Sequence, residues 1–183
     1  AKERGIYVGR TVGSNSIAVA EHVVALMFAE SKNLYTSIRD VKNHGWNKPT
    51  GREINGKTLG IIGFGQIGKH LAQFAVGLGM KVLAYDVFEI PDEVAEQYHV
   101  TKATQDEIIE NSDFISLHVP LLDSTRDMIT TNELKRMKKD ACLINAARGG
   151  IVNEKALYEA LVNHEIRSAC FDVYSDEPPK ADD

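Results

Sequence analysis

The sequence predicts an α/β domain built on a doubly wound parallel sheet, with a long helix ahead of it. Three observations carry that prediction. From residue 56 onward, short apolar runs alternate with stretches of helical periodicity, the order that a parallel sheet covered on both faces requires. The first apolar run, Thr58-Leu59-Gly60-Ile61-Ile62, leads directly into glycines at 63, 65 and 68 and then into a helix. Polar and charged residues gather just after the apolar runs, where an open parallel sheet binds its ligands.

In chain order, residues 1–15 are short and glycine-punctuated, with Gly5-Ile6-Tyr7-Val8 expected as a brief strand. A helix begins at 16, capped by Asn15 or Ser16, with Glu21 in its first turns. Its apolar residues (Ile17, Val19, Ala20, Val23, Val24, Leu26, Met27, Phe28) cover more than one face, so it is buried in a core or in a subunit interface. The pattern continues through Leu34, Ile38 and Val41 towards Trp46, giving an expected helix 16–46, and Pro49-Thr50-Gly51 closes it. Strands are expected at 58–62, 81–85, 113–118, 141–145 and 167–171, with a weak one near 99–101. Helices are expected at 66–77, 104–111, 130–137 and 153–163, with a poor one near 91–97.

Composition bounds the function. A chain of 183 residues, 43% apolar and 26% charged, is long enough for one sizeable core and ordinary for a globular domain. A net charge of −5 offers no electrostatic footing to nucleic acid or an anionic membrane. No apolar stretch is long enough to span a bilayer, and Ala1-Lys2-Glu3-Arg4-Gly5 lacks the apolar run of a signal peptide, so a cytoplasmic location is expected. Cys142 and Cys170 lie in apolar, strand-like runs and read as buried free thiols of a reducing compartment. No Cys/His cluster has zinc-like spacing, and no metal is expected.

The glycine triplet has the spacing of a dinucleotide-binding turn. Gly63 allows the sharp exit from the strand, Gly65 lets the backbone approach a pyrophosphate, and Gly68 lets the helix pack close to the strand. The helix start at Gln66 and Ile67 offers free N–H groups and a partial positive charge to the phosphates. Asp86 ends the next strand, 18 residues after Gly68, where an acidic side chain accepts hydrogen bonds from the adenosine ribose. The same carboxylate repels a 2′-phosphate by roughly 1–4 kcal/mol per unit charge at ~4 Å. No basic residue follows among Val87, Phe88 and Glu89, so NAD is expected rather than NADP.

Further chemistry sits at the later strand ends. Arg148 is flanked by Ala146, Ala147, Gly149 and Gly150, which leave room for a ligand. A guanidinium there can hold a carboxylate through two parallel hydrogen bonds and polarise an adjacent carbonyl; the plain alternative is an arginine at a surface turn. His118, next to Val119 and Pro120, reads either as a catalytic acid or as a cleft-lining histidine without a proton-transfer role. Glu177, after Asp172 and Asp176, reads either as a carboxylate that raises the pKa of a neighbouring imidazole or as part of a solvated acidic loop.

Taken together, four segments resemble the D-isomer-specific 2-hydroxyacid dehydrogenase family. They are Gly60–Gly68; Ile115-Ser116-Leu117-His118-Val119-Pro120-Leu121; Ile144–Glu154 with its Ala-Arg-Gly-Gly core; and Phe171-Asp172-Val173-Tyr174 leading to Glu177-Pro178. Val19-Ala20-Glu21-His22 is similar to the family's helix between domains, and the phosphoglycerate dehydrogenase branch is the most similar. The resemblance implies an inter-domain segment at 1–50, an NAD-binding domain at 51–178 and a tail at 179–183. It implies that Arg148 binds the substrate carboxylate and that Glu177 pairs with a catalytic histidine. It places Gln66 and Ile67 on the pyrophosphate, Asp86 on the ribose and Asp172 on the nicotinamide amide. Val119, Pro120, Ala146, Ala147 and Arg148 would line the groove.

The departures matter too. The family's catalytic histidine lies in a Pro-His segment beyond Glu177, and no histidine follows Glu177 here. Both parts of the family's substrate domain are missing, so the expectation is a fragment that binds cofactor without turnover. Asn153 stands where the family more often has Asp. The resemblance implies hydride transfer between NAD and a D-2-hydroxyacid or its 2-oxo acid, 3-phosphoglycerate among them, as in serine biosynthesis. Two other readings compete: an NAD(H)-sensing binding module, against which Arg148 and Glu177 weigh, and a formate dehydrogenase-like enzyme. The apolar helix 16–46 predicts a homodimer in each case.

Overall fold

The computed structural model describes residues 2–179 apart from positions 8, 10 and 12. Six strands form one all-parallel sheet: β1 Thr58–Ile62, β2 Lys81–Tyr85, β3 Thr101–Lys102, β4 Phe114–Leu117, β5 Cys142–Asn145 and β6 Ser168–Phe171. Their order is β3-β2-β1-β4-β5-β6, so the sheet winds outward in both directions from β1 and β4. The expected doubly wound sheet is therefore the observed one, and its ligand crevice falls where the order reverses, between β1 and β4.

Among the described residues seven α-helices accompany the strands: α1 Ser16–Ser31, α2 Leu34–Lys42, α3 Gln66–Gly77, α4 Asp92–Gln97, α5 Gln105–Asn111, α6 Thr131–Arg136 and α7 Glu154–Val162. Side chains alternate across the sheet and feed two cores. On one face Leu59, Ile61, Phe114, Cys142 and Ile144 pack with α1 and α3; on the other Ile62, Ile115, Leu117 and Leu143 pack with α5, α6 and α7. Gly60 is a contact point for the second layer. A Cβ there would stand 2.4 Å from Ile108 Cγ2 and Ser112 Oγ, so α5 can seat this low on β1 only over a glycine. Helices α5 and α6 each start on a capping box, Thr104 with Glu107 and Thr130 with Glu133.

Helix α1 is a core element. Ala20, Val23 and Met27 are fully buried against the sheet and α3. Its far end is fixed by Glu30, which accepts from Arg52 Nη2 (2.9 Å), Arg167 Nε (2.8 Å) and Ser168 Oγ (2.9 Å). Neither Asn15 nor Ser16 caps it through a side chain; Asn15 takes the N-cap position without a side-chain bond, and Ser16 is buried.

The expected single helix 16–46 is two helices. Asn33 adopts φ +52°, a left-handed conformation that asparagine tolerates, and the α1 ladder stops there. Its side chain donates to Thr50 O (3.1 Å), which fixes the break. Helix α2 then projects with no buried residue, leaving Leu34, Tyr35, Ile38 and Val41 exposed, and Trp46 beyond it is exposed as well. The expected brief strand at 5–8 is not formed at Gly5–Tyr7: Lys2–Arg4 make a short 3-10 turn and Gly5 reverses the chain at φ +67°. Val8 and residues 180–183 of the expected tail lie outside the described residues. Among the described residues no helix is long and apolar enough to cross a membrane. Cys142 is buried, Cys170 is only half-buried, and the two thiols are free, 3.9 Å apart.

Candidate functional site

The three glycines have three separate physical reasons. Gly63 sits at φ +100°, and a Cβ there would lie 2.5 Å from His118 O. Gly68 brings α3 onto the turn so closely that a Cβ would lie 2.6 Å from Gly63 O. Gly65 is different: its Cβ position is open space. A side chain would fit the protein there, so the glycine leaves room for something outside it. Gly65 is also the N-cap of α3 and offers no capping side chain. The first bond into the helix is Lys69 N–H to Gly65 O (3.0 Å), so the Gln66, Ile67 and Gly68 amides precede the ladder. A bare helix start beside an open groove fits a pyrophosphate. Phe64 holds the turn from beneath; it is buried, and its ring meets Tyr98 edge-on at 5.9 Å.

Asp86 lies just past β2, as the spacing predicted. Its Oδ2 accepts from Phe64 N–H (2.7 Å) and its Oδ1 from Phe88 N–H (3.0 Å). The carboxylate is thus oriented by the glycine turn itself. Open hollows of about 330 and 260 Å³ flank it. A larger hollow of about 510 Å³ lies at the opposite edge, where β1, β2 and β3 begin; it holds none of the predicted site residues.

Across the crevice, the ends of β4, β5 and β6 bring the other predicted residues to the same edge. Val119 is half-buried beside Gly63, and Pro120 is exposed. Ala146 and Ala147 are half-buried and Arg148 is exposed. Asn145 builds this loop: its amide donates to Arg148 O (2.9 Å) and its oxygen accepts from Ala147 N–H (3.1 Å). The Arg148 guanidinium rests on Ala147 O (2.6 Å) and has no carboxylate partner among the described residues. Gly149 packs against the next loop so tightly that a Cβ would stand 1.9 Å from Tyr174 O. That next loop carries Asp172, which faces His22 Nε2 of α1 at 3.5 Å, and Glu177, whose Oε1 accepts from Tyr174 N–H (3.0 Å). Glu154 braces the same loop by accepting from Ser175 N–H and Oγ.

His118 sits at the strand-order reversal. Its Nε2 is 2.9 Å from Ser116 Oγ, and its Nδ1 is enclosed without a partner. Burial pushes its pKa down to about 4, so the ring is neutral at pH 7 and is no source of a proton there. Asn153, the departure from the family pattern, caps α7 through Ala156 N–H (2.9 Å) and donates its amide to Asp127 Oδ1 (3.2 Å). An aspartate could not make the second bond. Sequence reasoning missed Asn145, Gly149 and Glu154 as organisers of the loops; the Ala-Arg-Gly-Gly run contained the one signal, a glycine with no turn requirement of its own.

This fold, a dinucleotide-type glycine turn and an acidic β2 end together define a nucleotide-cofactor domain of the doubly wound class. The family described as D-isomer specific 2-hydroxyacid dehydrogenase, NAD binding domain, matches residues 24–183, and the chain belongs to that family. Among curated relatives, D-3-phosphoglycerate dehydrogenase of Methanocaldococcus jannaschii is 43% identical over 98% of this chain and 35% of its own length. Hydroxypyruvate reductase of Thermotoga maritima is 40% identical over 98% of this chain and 58% of its own. The crystal structure of D-lactate dehydrogenase with NAD+ from Lactobacillus jensenii superposes with a TM-score of 0.88, at 39% identity, covering 100% of this chain and 57% of that one. The chain therefore spans between 35% and 58% of the length of these three relatives. NAD is the cofactor of the matched domain.

Proposed function

We propose that this chain is the cofactor-binding part of a dehydrogenase that moves a hydride between NAD and a D-2-hydroxyacid. The observation that carries the reading is the meeting, on one sheet edge, of the oriented Asp86 and bare α3 start with the Arg148 and Asp172 loops. Bound NAD supplies the hydride acceptor. The protein's share is position and charge. Gly63, Gly65, Gln66, Ile67 and Gly68 seat the pyrophosphate and Asp86 takes the ribose. Val119, Pro120, Ala146 and Ala147 line the groove, and Asp172 takes the nicotinamide amide. Arg148, free of any carboxylate partner among the described residues, is placed to clamp the substrate carboxylate and polarise the carbonyl. Glu177, at the same edge, is placed to pair with a catalytic histidine and hold it protonated near neutral pH. The names of the relatives make 3-phosphoglycerate and hydroxypyruvate the first substrates to try with a longer form.

Titration with NADH and NADPH, read by nucleotide fluorescence, tests this. NADH binds saturably, NADPH binds at least about tenfold more weakly through repulsion by Asp86, and Asp86→Ala weakens NADH by about ten- to a hundredfold. Equal affinity for the two nucleotides, or no binding, overturns the reading. The exposed apolar row Leu34, Ile38 and Val41, spaced i, i+4 and i+7 on α2, supports a homodimer joined through this arm. Light scattering at micromolar concentration gives a dimer, and Ile38→Glu gives a monomer; a monomeric wild type removes the dimer.

A further inference from the structure

Helix α1 lies antiparallel along β6, and three contacts mark the register. Glu30 accepts from Ser168 Oγ (2.9 Å), Leu26 O lies 3.9 Å from Cys170 Sγ, and His22 Nε2 stands 3.5 Å from Asp172 Oδ1. The helix number falls by four at each step while the strand number rises by two. Four helical residues advance about 6 Å and two strand residues about 6.6 Å, so the two scales stay in step over three rungs. Residues 30, 26 and 22 share a helix face, and 168, 170 and 172 share a strand face. Asp172 is one residue past β6 but still follows the sheet, since its N–H donates to Asn145 O of β5 (3.1 Å). The first rung is anchored further by Arg52 and Arg167 on Glu30. His22 is therefore set against Asp172 by the seating of the whole helix.

The third rung differs from the other two in its exposure and charge. Both side chains are open, His22 45% exposed and Asp172 56%. An ionised carboxylate only accepts, so the ring nitrogen that faces it is the one that carries a proton. Among the described residues His22 is the one side chain on this carboxylate, and it meets Oδ1 alone. Oδ2 is left to accept from a ligand, while the imidazole limits how the carboxylate can turn.

We propose that His22 is a positioning residue for the cofactor, holding Asp172 Oδ1 so that Oδ2 accepts from the nicotinamide amide of bound NAD(H). This rests on the reading above that Asp172 takes that amide. Calorimetric titration with NADH and with ADP-ribose, the same dinucleotide without its nicotinamide, tests it. His22→Ala weakens NADH by about fivefold and leaves ADP-ribose within about twofold. His22→Gln, whose amide nitrogen reaches the place of Nε2, brings NADH back to within about twofold of wild type. In an Asp172→Ala background, itself weaker for NADH by about fivefold, His22→Ala adds nothing further. A residue that only stabilised the helix would weaken both ligands, and would do so with or without Asp172. A His22→Ala variant that binds NADH like wild type, loses ADP-ribose equally, or costs as much without Asp172 as with it overturns the proposal, as does a glutamine no better than alanine. If Asp172→Ala still weakens NADH in that case, the cofactor reading stands without His22; a wild type that binds no NADH overturns both.

Discussion

Replacing Glu30 by alanine tests how α1 is held to the nucleotide domain. The Glu30 side chain is only 9% exposed and takes both Arg52, 14% exposed, and Arg167, 34% exposed. Burial opposes its charge, but hydrogen bonds and charge from Arg167, Arg52 and Ser168 outweigh it and hold the carboxyl below the usual glutamate range. Removing one member of a buried pair costs about 3–5 kcal/mol, because the partner charge is left without compensation. Arg167 can turn to water. Arg52 cannot, since it is stacked on Phe114 at 4.3 Å and its Nη1 is held by Asp140 O. The lower end applies, about 3 kcal/mol, out of a domain total of roughly 5–15 kcal/mol. With a urea slope of about 2 kcal/mol per molar, the midpoint falls by about 1.5 M. Urea unfolding at pH 7, followed by far-ultraviolet circular dichroism, measures it. Arg52→Met keeps the stacking over Phe114 and removes the charge, so Glu30→Ala combined with it loses less than the sum of the two. A Glu30→Ala midpoint within about 0.3 M of wild type, or strict additivity of the pair, refutes the ion-pair account.

Gly149→Ala forces a Cβ against Tyr174 O and Ser175 N, both backbone, so the 172–177 loop must shift. Stability falls by about 1–3 kcal/mol and NADH binding weakens with it; a wild-type melting temperature and NADH affinity would count against the packing. The pH dependence follows from His118. Its folded pKa of about 4 lies below the ordinary value of 6.5, so the unfolded chain takes up the proton first as pH falls. The contribution is nil above pH 6.5 and costs about 2–3 kcal/mol by pH 4.5. Urea midpoints at pH 7 and 4.5 show a smaller drop in His118→Asn than in wild type; equal drops would show the ring to be solvated.

The regular part of this fold was readable because local signals and the global arrangement agree. Helix α3 was located by Gly63-Phe64-Gly65 before it and by the 3.6-residue rhythm of Ile67, Leu71 and Ala75 within it; Gly77 and Gly79 mark its end. The break at Asn33 was not readable. The apolar rhythm runs on past it into α2, and a left-handed asparagine bonded to Thr50 depends on where the chain returns. The site divides the same way. Gly63, Gly65, Gly68 and Asp86 belong to one local unit and announce themselves by spacing. Ser116 with His118, Gly149 with Tyr174, and Glu154 with Ser175 follow from how strand ends line up across the sheet edge, which no spacing within one segment reports.

The α2 arm leaves and re-enters the domain at nearly one point. Asn33 holds Thr50, Lys32 Nζ reaches Arg52 O (3.0 Å), and Arg52 N–H bonds Ser31 O (2.8 Å), while a Cβ on Gly51 would collide with that same carbonyl. The excursion is therefore closed at its neck, and its closure entropy changes only slowly with the length of chain beyond. Residues 34–48 can be shortened, lengthened or rewritten with little effect on the folded domain, because nothing in α2 is buried in it. The arm and the folding of the domain are thereby mechanically uncoupled: mutation in the arm leaves intact the scaffold that carries the cofactor.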